Sequence, residues 1–190
     1  ENSVVKTLEK TPDLNEYVGV DSEIKDNKIL LNANINNVKT QLLFDTGSDA
    51  YIMLNQNPFF DEPEDLAYET GIITANNVQS YPLNKVYANQ SISVGGILND
   101  NNLISVVRSF NANGVGIQFI KNYNWIIDFK KKKVYAKKIK DFNSSSFIEK
   151  LTSVKYKVMA TNGHLIIFHK KDPVNKFKVG DEIVSVDGTI

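Results

Sequence analysis

Between Lys28 and Phe44 the chain twice alternates apolar and polar residues with the period of a half-buried strand. In "KILLNANIN" (28–36) Ile29, Leu31, Ala33 and Ile35 fall on one face, and over 38–44 Val38, Thr40, Leu42 and Phe44 repeat the pattern. Asn36-Asn37 between them suits a tight turn with positive φ, so a hairpin is predicted that delivers Asp45 at its end. Further strands are predicted at 70–78, 83–88, 91–95, 103–107, 124–129 and 133–137, separated by polar or Gly-rich breaks. Helix signals are weaker. Residues 116–122 suit one short turn, and "SSSFIEKLTSV" sets Ser caps before an apolar periodic run that starts at Phe147, although its serines also read as a linker. The body is expected to be mainly β, with residues 1–27 as a polar arm or edge segment.

Composition narrows the function classes. The 190 residues are 42% hydrophobic, enough for one domain with a sizeable core, or one domain plus a fragment. Lys plus Arg equals Asp plus Glu at 22 each, so the summed charge gives no attraction for nucleic acid or an anionic membrane, and neither is expected as a partner. The absence of cysteine removes disulfides, thiolate zinc sites and thiol nucleophiles, and leaves the redox compartment open. No apolar run approaches the roughly 18 residues of a spanning helix. No membrane-spanning segment is therefore expected, and Glu1 without a leader suggests a processed or trimmed form of something longer.

The candidate chemistry lies in "LLFDTGSDA", Leu42 to Ala50. A carboxylate at the end of an apolar strand is costly unless donors meet it. Gly47 lets the chain turn and bring backbone N–H groups toward Asp45, while Thr46 and Ser48 add short hydroxyl donors. If two such loops face each other, two carboxylates share one proton: the charged one activates water and the protonated one polarises a carbonyl. Asp-Thr-Gly-Ser is also a good plain turn, and the tetrapeptide alone favours that reading.

The flanks change the balance. The hairpin followed by "LLFDTGSDAYIM" resembles the active-site strand and loop of the retropepsin-like aspartic peptidases. "NGVGIQFI", Asn113 to Ile120, resembles the second hallmark of that family, an apolar-apolar-Gly loop that packs beneath the catalytic turn. "NYNWIIDFKKKKVYAKK", Asn122 to Lys138, resembles the closing hairpin of bacterial members. The resemblance covers approximately residues 28–140, one lobe rather than the two of pepsin. It implies a single-lobe, pepsin-like β-barrel acting as an aspartic endopeptidase on peptide or protein substrates, as a homodimer, without cofactor or metal. Asp45 then corresponds to the catalytic aspartate, Thr46 to the residue bonding the opposite loop, Gly47 and Ser48 to carboxylate supports, and Val115 and Gly116 to the second loop. Ile117-Gln118 stand where viral members have Arg followed by Asn or Asp, so polar support of the dimer near that loop is not carried over. A substrate-covering flap is implied at Gly71, Ile72, Ile73, Thr74, Ala75, Asn76 and Asn77, within "ETGIITANNVQSY", which also reads as an ordinary surface hairpin. Glu69-Thr70-Gly71 is no second copy of the motif, since Glu is one methylene too long for the same loop. The resemblance to bacterial members implies the cell envelope, periplasm or secretion rather than the cytoplasm.

"KFKVGDEIVSVDGTI", Lys176 to Ile190, resembles the PDZ segment in which a Gly-Asp turn leads into a short strand, Ile183, Val184 and Val186, and then an Asp-Gly turn. Residues 141–153 read as a linker and 154–190 as a partial PDZ-like domain, either truncated or docked on the first domain, since forty residues without disulfide or metal rarely fold alone. Lys130 to Lys133 read as a solvated hairpin turn, "DEPED" (61–65) as a solvated loop, and His164 and His169, on opposite faces of any strand between them and with no Cys or carboxylate at ligand spacing, as no metal site. The competing function is a non-catalytic peptide-binding or scaffold module that keeps the lobe without a competent dyad.

Overall fold

In the computed structural model, short strands β1 (Val18–Val20) and β2 (Ser22–Lys25) precede the long hairpin of β3 (Lys28–Ile35) and β4 (Val38–Phe44). Then follow β5 (Ile52–Leu54), β6 (Leu66–Thr74), β7 (Asn77–Ala88), β8 (Ile92–Val94), β9 (Ile97–Asn99), β10 (Leu103–Val106) and β11 (Gly114–Val115). The single-turn helix α1 (Ile117–Ile120) leads to β12 (Tyr123–Asp128), β13 (Lys133–Lys138), β14 (Tyr156–Thr161) and β15 (His164–Lys171). The chain is mainly β. The structure describes residues 6–10, 12–55, 66–74, 77–88, 92–99, 103–107, 112–139, 155–161, 163–171 and 176–188.

Two units make up the fold: Glu1–Ile52 with Ser91–Asp100 and Ala112–Phe142, and Met53–Gln90 with Asn101–Asn111 and Asn143–Ile190. In the first, β3 and β4 pair antiparallel from Leu30↔Leu43 to Ile35↔Val38, and Asn36 and Asn37 close the hairpin at φ 46° and 69°. Two consecutive residues with positive φ are what a two-residue turn matched to strand twist requires. Asp26 and Asn27 make the same turn between β2 and β3, at φ 50° and 57°. The predicted 1–27 arm is thus partly sheet, because β2 pairs with β3 and β1 pairs with β13. β11 runs parallel beside β4, while β8 pairs with β3. Alternation puts Leu31, Ile35, Leu42, Ile92 and Val94 into the core of this unit.

In the second unit β6 and β7 form a hairpin, with β10 on the far edge of β7 and β15 on the far edge of β6. The predicted strand at 70–78 is therefore two strands, ending at Thr74 and restarting at Asn77. The β14–β15 hairpin was not foreseen. Tyr68, Val86, Tyr87, Ile104 and Ile167 are buried here.

After β15, the expected short strand at Ile183, Val184 and Val186 is not a continuous strand: Glu182 forms an isolated bridge with Ile166, Val186 is a single bridge residue, and the Ile183 N–H donates to the Leu165 carbonyl at 2.8 Å. Val184 and Val186 are 69% and 62% exposed, so burial does not hold this stretch as a strand. The turns flanking it are present, with Gly180 at φ 97° and Asp187-Gly188 at 51° and 76°. The expected helix from Phe147 and the acidic stretch 61–65 lie outside the described residues. Among the described residues no helix is long and apolar enough to cross a membrane.

Candidate active site

Asp45 ends β4 as an extension of a parallel ladder. The N–H groups of Leu43 and Asp45 donate to the carbonyls of Asn113 and Val115, each at 2.9 Å. Because two residues in step bond to the same neighbour, extended backbone continues through Asp45 and fixes the direction of its side chain. The chain then turns. Gly47 N–H donates to Asp45 Oδ1 at 2.9 Å, and Ser48 N–H to the Asp45 carbonyl at 3.4 Å. Asp45 is half-buried and Thr46 is exposed.

Gly47 has an ordinary φ, and a Cβ there would make a tight contact, 3.3 Å, with the carboxylate oxygen that its N–H meets. Ser48 differs from its expected role. Its hydroxyl is engaged within the loop, accepting the Ala50 N–H at 3.3 Å. The short side chain bends back to its own backbone two residues on, a habit of Ser in turns.

The second loop packs beneath the first. Gly116 N–H donates to the Tyr51 carbonyl at 3.1 Å, Ile117 N–H to that of Ser48 at 2.8 Å and Gln118 N–H to that of Ala50 at 3.3 Å. A Cβ on Gly116 would lie 2.4 Å from Ala50 O and 2.6 Å from Ser48 O. Only glycine permits this approach. Val115 is fully buried beside Phe44 in the parallel pair.

Residues that sequence reasoning missed complete the support. Gln118 Nε2 donates to Asp49 Oδ1 at 2.8 Å, and Gln118 Oε1 accepts from Lys121 Nζ. Gln118, the second residue of the Ile117-Gln118 pair, thus reaches the Asp45 loop through its amide. Beneath, Phe119 is buried against Tyr51, Tyr123 and Trp125, with ring centroids 5.6, 5.4 and 6.4 Å away. Trp125 also meets Phe44 edge-on at 5.0 Å and donates Nε1–H to Ile120 O at 2.8 Å. Buried Asn122 donates Nδ2–H to Tyr51 Oη at 3.1 Å. Burial, and after it the neighbouring Tyr51, push the Tyr123 hydroxyl up to about 12. The aromatic spacing 119, 123, 125 was the one sequence signal for this floor. Nothing local pairs 49 with 118.

Of the flap residues, Gly71, Ile72, Ile73 and Thr74 belong to β6 and Asn77 opens β7, while Ala75 and Asn76 lie outside the described residues. Gly71 is buried at a register shift between Thr70 and Ile72, a frequent place for glycine in a strand. The hairpin belongs to the second unit and the Asp45 loop to the first. Glu69-Thr70 are mid-strand, with Glu69 at 3.7 Å from Lys170 and Thr70 Oγ1 donating to Phe168 O at 2.9 Å. His169 is buried and stacked on Tyr68 at 4.6 Å, whereas exposed His164 meets Glu182 at 2.6 Å. Lys130 to Lys133 lie exposed at the turn between β12 and β13, where Asp128 Oδ1 accepts the Lys131 N–H at 2.9 Å.

No family model matches the chain, and no curated protein matches it. Among solved structures, it is similar to the crystal structure of a retropepsin-like aspartic protease from Rickettsia conorii. The identity is 20% and the TM-score 0.43, over 63% of this chain and 89% of that one.

Proposed function

We propose that the chain is an aspartic endopeptidase in which two copies each contribute Asp45. The observation that carries this reading is the mutual fit of two loops: Asp45 is held by the Val115 carbonyl and the Gly47 N–H, while Gly116 lies directly under Ser48 and Ala50. An ordinary surface turn needs no such floor. These 190 residues hold one Asp-Thr-Gly loop, and the proposal takes the second carboxylate from a second chain, in a two-fold arrangement that sets identical loops opposite one another.

In such a pair one carboxylate is charged and the other protonated, because ionising both side by side is costly. The charged oxygen takes a proton from water as that water attacks the peptide carbonyl carbon. The protonated one donates a hydrogen bond to the carbonyl oxygen. Collapse of the tetrahedral species returns a proton to the leaving nitrogen. Thr46, exposed beside Asp45, is assigned the contact to the opposite loop, and Gly71 to Asn77 the flap role that the resemblance implies. The PDZ-like reading of 154–190 rests on the sequence of its last fifteen residues.

Cleavage of a diverse peptide library at acidic and neutral pH, with Asp45→Asn as control, tests the proposal. Activity in the wild-type chain that disappears in the variant supports it. Binding of peptides without cleavage at any pH favours the scaffold reading instead.

A further inference from the structure

Gln41, Leu43 and Asp45 leave the β4 extension on one side, since the ladder to 113–115 keeps that backbone extended through Asp45. Leu30 lies directly opposite Leu43, and Lys28, two residues before Leu30, shares its side of β3. Lys28 in turn lies directly opposite Lys25 of β2. Along the paired stretch, Lys28 stands two residues beyond Leu30 in the direction in which Asp45 stands two residues beyond Leu43. Lys25, Lys28, Leu30, Gln41 and Leu43, with Ala112 and Asn113 from the segment that receives the Leu43 N–H, line a cavity of about 320 Å³; Asp45 is not in its lining but follows Leu43 on the same side of the strand.

Its chemistry is divided. Leu30 and Leu43, both half-buried, make an apolar floor. Lys25 and Lys28 stand exposed at the mouth, and neither forms an ion pair among the described residues. Like charges directly opposite on neighbouring strands repel. Asp26, in the intervening turn and also lining the cavity, offsets one of them and leaves the mouth with a net positive charge. An apolar floor ending at unneutralised cations fits a side chain with an aliphatic stem and an anionic tip.

We infer that this cavity is a side-chain subsite for an acidic residue, glutamate best, in a peptide bound at the Asp45 loop. The inference rests on the peptidase reading of that loop. Glutamate's two methylenes span the leucines while its carboxylate reaches the lysines, and Lys28 is the specificity-determining residue. Aspartate is too short to do both.

The test uses peptide pairs identical except for Glu or Lys at each position flanking the cleaved bond. At low salt, wild-type kcat/KM should favour the Glu member by about tenfold at one position, a magnitude in keeping with one steering charge contact. Lys28→Glu should invert that order, with Lys25→Glu as an independent second variant and far-UV circular dichroism showing that both fold. Cleavage without charge preference, or a preference unchanged in both variants, overturns the subsite and leaves the peptidase reading standing. Binding of the same peptides to the Asp45→Asn chain, followed by fluorescence anisotropy, separates the two ideas. Lys28-dependent preference for the Glu peptide with no cleavage by wild type keeps the subsite and sinks the peptidase reading. No charge-dependent binding and no cleavage sink both.

Discussion

Gly116 lies so close beneath Ala50 that a Cβ at position 116 would stand 2.4 Å from the Ala50 carbonyl oxygen. The neighbouring N–H groups of Ile117 and Gln118 bond the same stretch, to the carbonyls of Ser48 and Ala50. The contact is backbone against backbone, so it cannot be relieved by a rotamer change.

Gly116→Ala should therefore destabilise the protein by about 2–3 kcal/mol, the upper range for forced overpacking. Gly96→Ala is the comparison: its φ is 85° but a Cβ there meets nothing within 4 Å. Its cost should be about 1 kcal/mol, from backbone strain alone. Urea midpoints of the two variants check the order.

Ser48→Ala should weaken peptide cleavage far less than Asp45→Asn. The Ser48 hydroxyl accepts one neutral N–H, that of Ala50 at 3.3 Å, so its loss costs about 0.5–1.5 kcal/mol. Asp45→Asn removes the group proposed to move protons and should leave no measurable turnover. Equal, complete loss in both variants would show that Ser48 acts in the chemistry itself.

Peptidase activity should be insensitive to chelators and to serine- or cysteine-directed reagents, since the proposed reaction uses only carboxylates and water. Inhibition by chelation would contradict it.

Specific activity should rise with enzyme concentration, because the proposed catalytic pair needs two chains. Sedimentation and activity measured across one dilution series provide the check. A strictly monomeric chain with constant specific activity would rule out a shared pair of Asp45 carboxylates.

Stability should fall between pH 10 and 12. Burial raises Tyr68 from 10.0 to about 12, and burial with Tyr51 nearby does the same to Tyr123. Above pH 10 the unfolded chain releases these protons while the folded one retains them, so rising pH favours unfolding until the folded hydroxyls ionise near pH 12. Below pH 10 both states are protonated and the effect vanishes. Urea midpoints against pH should show a shallower alkaline loss in Tyr68→Phe and Tyr123→Phe, and a slope unchanged in both would contradict the assignment.

The β3–β4 hairpin was legible in the sequence because its determinants are local: alternation sets which residues are buried, and Asn36-Asn37 tolerate the positive φ of the turn. The helical turn after Gly116 and the β12–β13 hairpin were legible for the same reason. The β14–β15 hairpin was not, since it gave too little alternation to stand out. At the site, the order Asp-Thr-Gly-Ser showed where a carboxylate meets a turn. Tertiary structure alone decided what holds it. The Asp49–Gln118 bond joins residues 69 positions apart. The pairing of Leu30 with Leu43 and of Lys25 with Lys28 depends on register. Such contacts are fixed by which backbones pack together, and a linear order of side chains does not encode that distance.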